Sequence, residues 1–444
     1  MYAGWTVVDE GLSLDPWVPL AAGVVLSSRK VLINRNNNLY ILLGQPKNME
    51  YGSQSTRRQL LAGTGLTVGA ALAGCASMTE SDNTENSNES TRTEQADSYE
   101  ACIEPVGCQT FESVPETYIV NNGEWADMAF ALGQRDGFLT STNMIPGFLF
   151  EPFGLDVPPR SETESMSAIS WDKEIFYERE PDVILMDPHY MHGTGWDDSW
   201  DESDTREISE NVAPFFGNNI LRRRDFHDYK LYSLYGAFER LAELFQERER
   251  YEAMASVHDD LQREIQSRLP SDGNQPTIGL VNSATNPSEG TFYPMNTDAE
   301  GIEMKPYQDL GIESSFTPEL VENGTIDYEQ LLEVDPEIIV VHWGIKTTGN
   351  TDSFSLSAFH KQFVEPMETD PVGSQLTAVE AGNIYPGAFG SQGPLVNLLQ
   401  TEMVAQQLYP EEFGEFEPER FPEVADDKQL FDRQRVKDII QGRF

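Results

Sequence analysis

Residues 232–269 read YSLYGAFERLAELFQERERYEAMASVHDDLQREIQSRL, and Pro270 follows. Leu234, Phe238, Leu241 and Phe245 recur at helical spacing. Tyr251, Met254, His258, Leu261 and Ile265 resume it after a slip at 246–250. The slip predicts two helices or one bent helix. The second piece, about 247–269, would span roughly 35 Å at about 1.5 Å per residue. Ser233 can cap the start, and Pro270 enforces the stop. A long rigid helix between two lobes would hold them at a nearly fixed separation, with a cleft between them.

Both flanks read as strand and helix in alternation. In the first, 117–120 is a strand ending at Asn121-Asn122, and EWADMAFAL at 124–132 is a helix that Gly133 stops. A second strand follows at 137–140, then a helix over 170–179 and a buried strand at 181–186 that ends on Asp187. In the second flank, 277–281 is a strand ending at Asn282, 307–310 is helical, and DYEQLLEV at 327–334 is an amphipathic helix. That helix runs into a strand at 335–341 that ends on His342-Trp343; a strand at 383–389 and a helix at 394–408 follow. Such alternation implies parallel sheet. The two flanks also echo each other. EPDVILM at 180–186 matches DPEIIVV at 335–341, each with a proline at the strand entry. The openings, YIVN at 118–121 and GLVN at 279–282, correspond through their final asparagines. The expected fold class is α/β: two Rossmann-like lobes with mostly parallel sheets, joined by a long backbone helix.

The formal net charge is -44, from 74 acidic and 30 basic residues. Phosphates would be repelled, which excludes nucleic acid as a partner. The acidic residues are spread through patterned segments rather than gathered in a tail, which suits a solvated surface adapted to high salt, where screening removes the self-repulsion. A halophilic source is expected. There are three cysteines. Cys102 and Cys108 are close enough in sequence to form a disulfide, as an oxidising compartment permits; the alternative is two free thiols.

Met49 opens a segment of a different kind, MEYGSQSTRRQLLAGTGLTVGAALAGC. Arg57-Arg58 precede a weakly apolar, glycine-rich stretch, the pattern of a twin-arginine export signal. Leu72-Ala73-Gly74-Cys75 resembles a lipobox, in which Cys75 is lipidated and becomes the mature N-terminus. Residues 49–75 are therefore expected to be a lipoprotein signal, and 76–98, rich in Ser, Thr, Asn, Glu and Asp, a disordered tether. Residues 1–48 show no clear pattern and lie ahead of an export signal. Translation from Met49 is the expectation, with 1–48 a start-site error; peptides from that stretch in cell extracts would overturn it.

VPETYIVNNGEWADMAFALG, EPDVILMD, NVAPFFGN, IDYEQLLEVDPEIIVVHWG and DPVGSQLTAVEAGNIYPGAF, with VAQQLYP after it, together cover most of 115–410. In that order they resemble the helical-backbone substrate-binding proteins of ABC importers for iron-siderophores, haem and cobalamin. The start is similar to exported lipoproteins of halophilic archaea. The resemblance implies a first lobe at 99–230, a linking helix region at 231–270 and a second lobe at 271–444. It also implies a monomeric receptor without a cofactor, lipid-anchored at the outer face of the cell membrane, that hands an iron chelate to a permease and its ATPase. Haem, cobalamin or a bare metal ion are the alternative ligands.

Ligands of open parallel sheets sit beyond the carboxyl ends of the strands. That rule selects Asn121, Asn122, Trp125, Asn143, Met144 and the loop 187–196 with Tyr190 in the first lobe. In the second it selects Asn282, Tyr293, His342, Trp343, Phe389 and Gln392. Aromatic side chains there would form a broad apolar wall suited to a bulky chelate. Arg222-Arg223-Arg224 stand out in a chain so poor in base; Arg222 and Arg224 can hold an anionic siderophore or a haem propionate, or simply pair with surface acids. His189 and His342, at the strand ends of the two lobes and with His192 nearby, can share a bare metal ion. No P-loop, dinucleotide or nucleophile-elbow motif is present, and no acid–base pair is marked by spacing. An enzyme, a secreted hydrolase above all, is the disfavoured class.

Overall fold

The computed structural model describes residues 24–26, 29–33, 39–41, 98–140, 146–157, 170–270, 275–346 and 353–444. The export signal with Cys75, the tether up to Asp97, and Asn143 and Met144 lie outside the described residues. The upstream stretch, read above as patternless, carries three short strands in an antiparallel meander: β1 (Val24–Leu26), β2 (Arg29–Ile33) and β3 (Leu39–Ile41). The first lobe opens with a hairpin, β4 (Tyr99–Ile103) and β5 (Gly107–Phe111), across which Cys102 and Cys108 face each other and are disulfide-bonded.

Next come β6 (Tyr118–Val120), α1 (Gly123–Ala131), α2 (Lys173–Arg179), β7 (Val183–Leu185), α3 (Pro188–Gly193) and α4 (Glu202–Asn211). β6 and β7 pair in parallel, with Phe138 bridged to one side and Phe215 to the other. The strand expected at 137–140 is reduced to that single bridge. The connection to the second lobe is α5 (Leu234–Leu244) and α6 (Arg248–Arg268). Ser233 caps α5 through the Gly236 amide, and Gln246 turns the chain between the helices at φ 54°. The two-helix alternative is therefore the one realised, with the break where the periodicity slips.

The second lobe is built from β8 (Ile278–Asn282), α7 (Lys305–Gln308), α8 (Pro318–Glu322), α9 (Tyr328–Val334) and β9 (Ile338–His342). After them come α10 (Leu356–Phe359), α11 (Glu365–Thr369), α12 (Thr377–Ala381), β10 (Ile384–Pro386) and α13 (Pro394–Leu408). Its sheet is parallel in the order β10-β9-β8, with Ser314 bridged to the outer side of β8. The four-position order is the same as in the first lobe, on a separate sheet. Two short helices end the chain: α14 (Pro410–Phe413) and α15 (Arg433–Ile440).

The lobes repeat each other at the level of single hydrogen bonds. α2 and α9 both end on a non-glycine residue in the left-handed region, Glu180 at φ 42° and Asp335 at φ 43°, and a proline follows each. Asp182 then accepts from the Thr117 amide and hydroxyl at 2.8 and 2.9 Å, and its own amide donates to that hydroxyl. Glu337 makes the same three bonds with Thr277. Tyr118 pairs with Val183 and Ile278 with Ile338, so Tyr118 is the counterpart of Ile278. This corrects the correspondence read from the asparagines by one residue. Asn122, not Asn121, stands where Asn282 stands, and His342 is the counterpart of Asp187 rather than of His189. In a strand a one-residue slip moves a side chain to the opposite face.

That alternation sorts the core. Tyr118, Val120, Val183 and Leu185, with Ile278, Leu280, Ile338 and Val340, face one continuous cluster that also takes in α1, α5, α6, α13 and α15. Ile119, Ile184 and Met186 face a separate cluster on the far side of the first sheet, and Val281, Ile339 and Val341 do the same in the second. Sheets covered on both faces need unbroken apolar strands, which is why these runs lack polar residues. Through Met254, Val257, Leu261 and Ile265, α6 is seated at the junction of the lobes, against α5, α13 and α15.

Candidate functional site

Three segments lie at or beside the carboxyl ends of the sheets, and the first and third of them join the lobes. The first is the turn from β6 into α1. Asn122 sits at the N-cap position and its amide donates to Glu124 at 3.0 Å. The other oxygen of Glu124 accepts from the Ser391 hydroxyl of the second lobe, and burial pushes the Glu124 carboxyl up. One turn on, Asp127 accepts from the amides of Gly393, Leu395 and Val396 at 2.8, 3.0 and 3.0 Å. A carboxylate of one lobe thus caps the longest helix of the other.

The second segment is the turn from β7 into α3. Asp187 caps α3 through the His189 amide, and its other oxygen accepts from the Asn219 amide and the Tyr229 hydroxyl. Tyr190 is buried between Trp171 and Trp196, and burial pushes its phenol up to about 12. The Arg224 guanidinium lies 5.0 Å over the half-buried Trp196 ring.

The third is a short ladder between the lobes. Ile302 and Glu303 donate to the carbonyls of Ile220 and Leu221 at 3.0 and 3.1 Å, and Arg223 donates to Glu300 at 3.3 Å. Gly301 makes the approach possible: it has φ +115°, and a Cβ there would stand 2.4 Å from the Leu221 oxygen. Gly301→Ala is expected to destabilise the protein by about 2 kcal/mol, read as a lower midpoint in urea, because the clash is with backbone that has nowhere to move. Beside this ladder Arg222 pairs with Glu303, whose Oε1 also accepts from the Trp343 indole at 3.0 Å and lies 3.4 Å from His342 Nε2. Burial opposes the charge on Glu303, but Arg222, His342 and Trp343 outweigh it and hold the carboxyl at about 2. Burial lowers His342, which stays neutral between Glu303 and the Tyr307 hydroxyl. The charges of Arg224, Glu124 and Arg222 all reach the Tyr190 phenol, so these segments form one neighbourhood.

Of the residues selected from sequence, Asn122, Tyr190, Arg222, Arg224, His342 and Trp343 come together here. Tyr293 is half-buried, and no contact among the described residues ties it to the group. Trp125 and Phe389 are corrections. Trp125 is 1% exposed, with its indole bonded to the Asn218 carbonyl, and Phe389 is fully buried behind Trp343. Both belong to the core shared by the lobes rather than to a cleft wall. A metal shared by His189 and His342 is disfavoured as well, since both ring nitrogens of His342 already face partners. Among the described residues the only three ligand-type side chains in mutual reach are Glu100, Cys102 and Cys108, whose sulfurs are bonded to each other. Glu124, Asp127 and Glu303 were missed. Glu124 and Asp127 share the apolar run EWADMAFAL and Glu303 sits in GIEM, and acids set in such runs were the available signal. A small surface pocket lined by Gln406, Phe416, Phe421 and Lys428 shares no residue with this site.

Two parallel sheets of like order, a helical connection and a polar site where their strands end set the frame for comparison with known proteins. Residues 170–387 match the periplasmic binding protein family. The matched stretch is just under half of the chain and includes Tyr190, Arg222, Glu303, His342 and Trp343. Periplasmic binding proteins are solute-binding proteins, not enzymes, and carry no resident cofactor. Solved structures similar to the chain include the iron uptake ABC transporter substrate-binding protein PiuA from Streptococcus pneumoniae, at 16% identity over 70% of this chain and 99% of that one, TM-score 0.49. Another is the triscatecholate siderophore binding protein FeuA from Bacillus subtilis, complexed with ferri-bacillibactin, at 18% identity over 68% and 95%, TM-score 0.43. A third is CeuE from Helicobacter pylori with Ni(II) bound, at 13% identity over 71% and 90%, TM-score 0.46. No curated protein matches the chain.

Proposed function

We propose that this protein is the extracytoplasmic binding lipoprotein of an ABC importer, taking a ferric siderophore-like chelate where its two lobes meet and delivering it to a permease and ATPase. The observation that carries this reading is the group at the strand ends: two arginines, Arg222 and Arg224, among the rings of Tyr190, Trp196 and Trp343, in a chain with few cations. Guanidinium groups and aromatic faces suit a large, partly anionic chelate. The export signal at 49–75, the lipid on Cys75 and the tether at 76–98 complete the proposal, with lobes at 99–230 and 271–444 around the region 231–270, acting as a monomer in a halophile. The Cys102–Cys108 disulfide is at home outside the cytoplasm. Among the described residues no helix is long and apolar enough to cross a membrane.

Titration with a ferric chelate in high salt, followed by tryptophan fluorescence, tests this. Saturable quenching without turnover is expected, and Arg224→Gln should weaken binding about tenfold, the usual scale for a charge-assisted contact. No binding of any ferric chelate, or repeated turnover of it, would remove the proposal.

A further inference from the structure

Arg222 is already occupied by a carboxylate that belongs to the protein. Glu303 comes from the opposite lobe, its side chain is 5% exposed, and its Oε1 is met by Arg222, Trp343 and His342. Gly390 leaves room for the same side chain: a Cβ there would stand 2.8 Å from Glu303 Cγ and 2.7 Å from the Trp343 ring. The ion pair is not what keeps the segments together, because the backbone bonds from Ile302 and Glu303 to Ile220 and Leu221 do that without side chains. Arg222 is more open, at 26% exposure, and its buried Nε has no hydrogen-bond partner among the described residues. A guanidinium held on one edge only can exchange its partner for a better-matched anion.

We infer that Glu303 is a specificity-determining residue, a built-in competitor for Arg222 that an incoming ligand must displace. The inference rests on the binding function proposed above and narrows its ligand. A monoanion gains little by replacing a carboxylate that two further donors hold in place. A polyanionic chelate, with charge spread over several oxygens, engages Arg222 and Arg224 together and wins the exchange. The favoured class is therefore a ferric complex of net negative charge, of the tris-catecholate kind. An uncharged tris-hydroxamate complex neither needs nor obtains the exchange.

The test compares wild type, Glu303→Gln, Arg222→Gln and the double variant against a trianionic ferric tris-catecholate and an uncharged ferric tris-hydroxamate. Removing the competitor should tighten tris-catecholate binding about tenfold and leave the tris-hydroxamate within about twofold. On the Arg222→Gln background the Glu303 change should have no effect, because there is nothing left to compete for. Glu303→Asp keeps the charge but draws it back from Arg222, and serves if the glutamine variant folds poorly; it should shift affinity in the same direction by less. Equal weakening or equal tightening for both complexes would overturn the inference while leaving the binding function intact. Failure of wild type to bind either complex would remove both.

Discussion

Asp127→Ala is expected to destabilise the protein by about 4 kcal/mol, the combined scale of a lost helix cap and buried amides left without acceptors. Three amides at the start of α13 end on this one carboxylate, and α13 is buried along its whole length, so water cannot replace the acceptor. The loss should appear as a lower midpoint in urea, with α13 loosened in hydrogen exchange. A melt within about 0.5 kcal/mol of wild type, the range of an ordinary surface substitution, would show that the cap contributes nothing.

The same residue sets a pH dependence whose sign is fixed. Burial pushes the Asp127 carboxyl up to about 7, against the pull of the three amides and with Glu124 adding to the push. That is above the ordinary 3.8, so its contribution is complete below pH 3.8 and is lost as pH rises through 7. Glu303 acts in the other direction: held at about 2 rather than 4.5, its contribution is present above 4.5 and lost as pH falls through 2. Stability should therefore be greatest near pH 4 to 5 and decline toward neutrality, by at most about 1.4 kcal/mol per pH unit. Asp127→Asn should make that decline shallower, leaving the part that the raised Glu124 and Glu402 carboxyls contribute.

Arg433→Ala should cost about 3–5 kcal/mol, the scale for breaking a buried ion pair by removing one partner. Its guanidinium, 3.8 Å over the Phe431 ring, is the counter-charge for Glu402, which is fully buried in the middle of α13. Burial pushes the Glu402 carboxyl up, and Arg433 opposes the push only in part. Glu402→Gln on the Arg433→Ala background should recover part of the loss, since no charge is then stranded. A double variant no better than Arg433→Ala would mean that packing of the arginine, not its charge, supplies the stability.

The chain shows its fold more plainly than its site. The break between α5 and α6 coincides with the slip at 246–250, and α13 matches its expected bounds, because burial imposes periodicity on consecutive residues. The register between lobes was misread because asparagine is common at strand ends, whereas the true marks, Thr117 with Asp182 and Thr277 with Glu337, lie 65 and 60 residues apart. The site suffers from the same distance. Arg222 and Glu303 are separated by 81 residues and Glu124 and Ser391 by 267, so no local pattern links them. Trp125 and Phe389 sit beside strand ends, as ligand-contacting aromatics would, but turn inward to the shared core.

α15 has a consequence for anyone trimming the protein. Val436, Ile439 and Ile440 are buried, and the helix packs against α1 and α6 and ties Arg435 to Asp260. Deleting 433–440 would uncover an apolar surface on helices that otherwise keep their places, and such a shortened protein should aggregate rather than merely melt earlier.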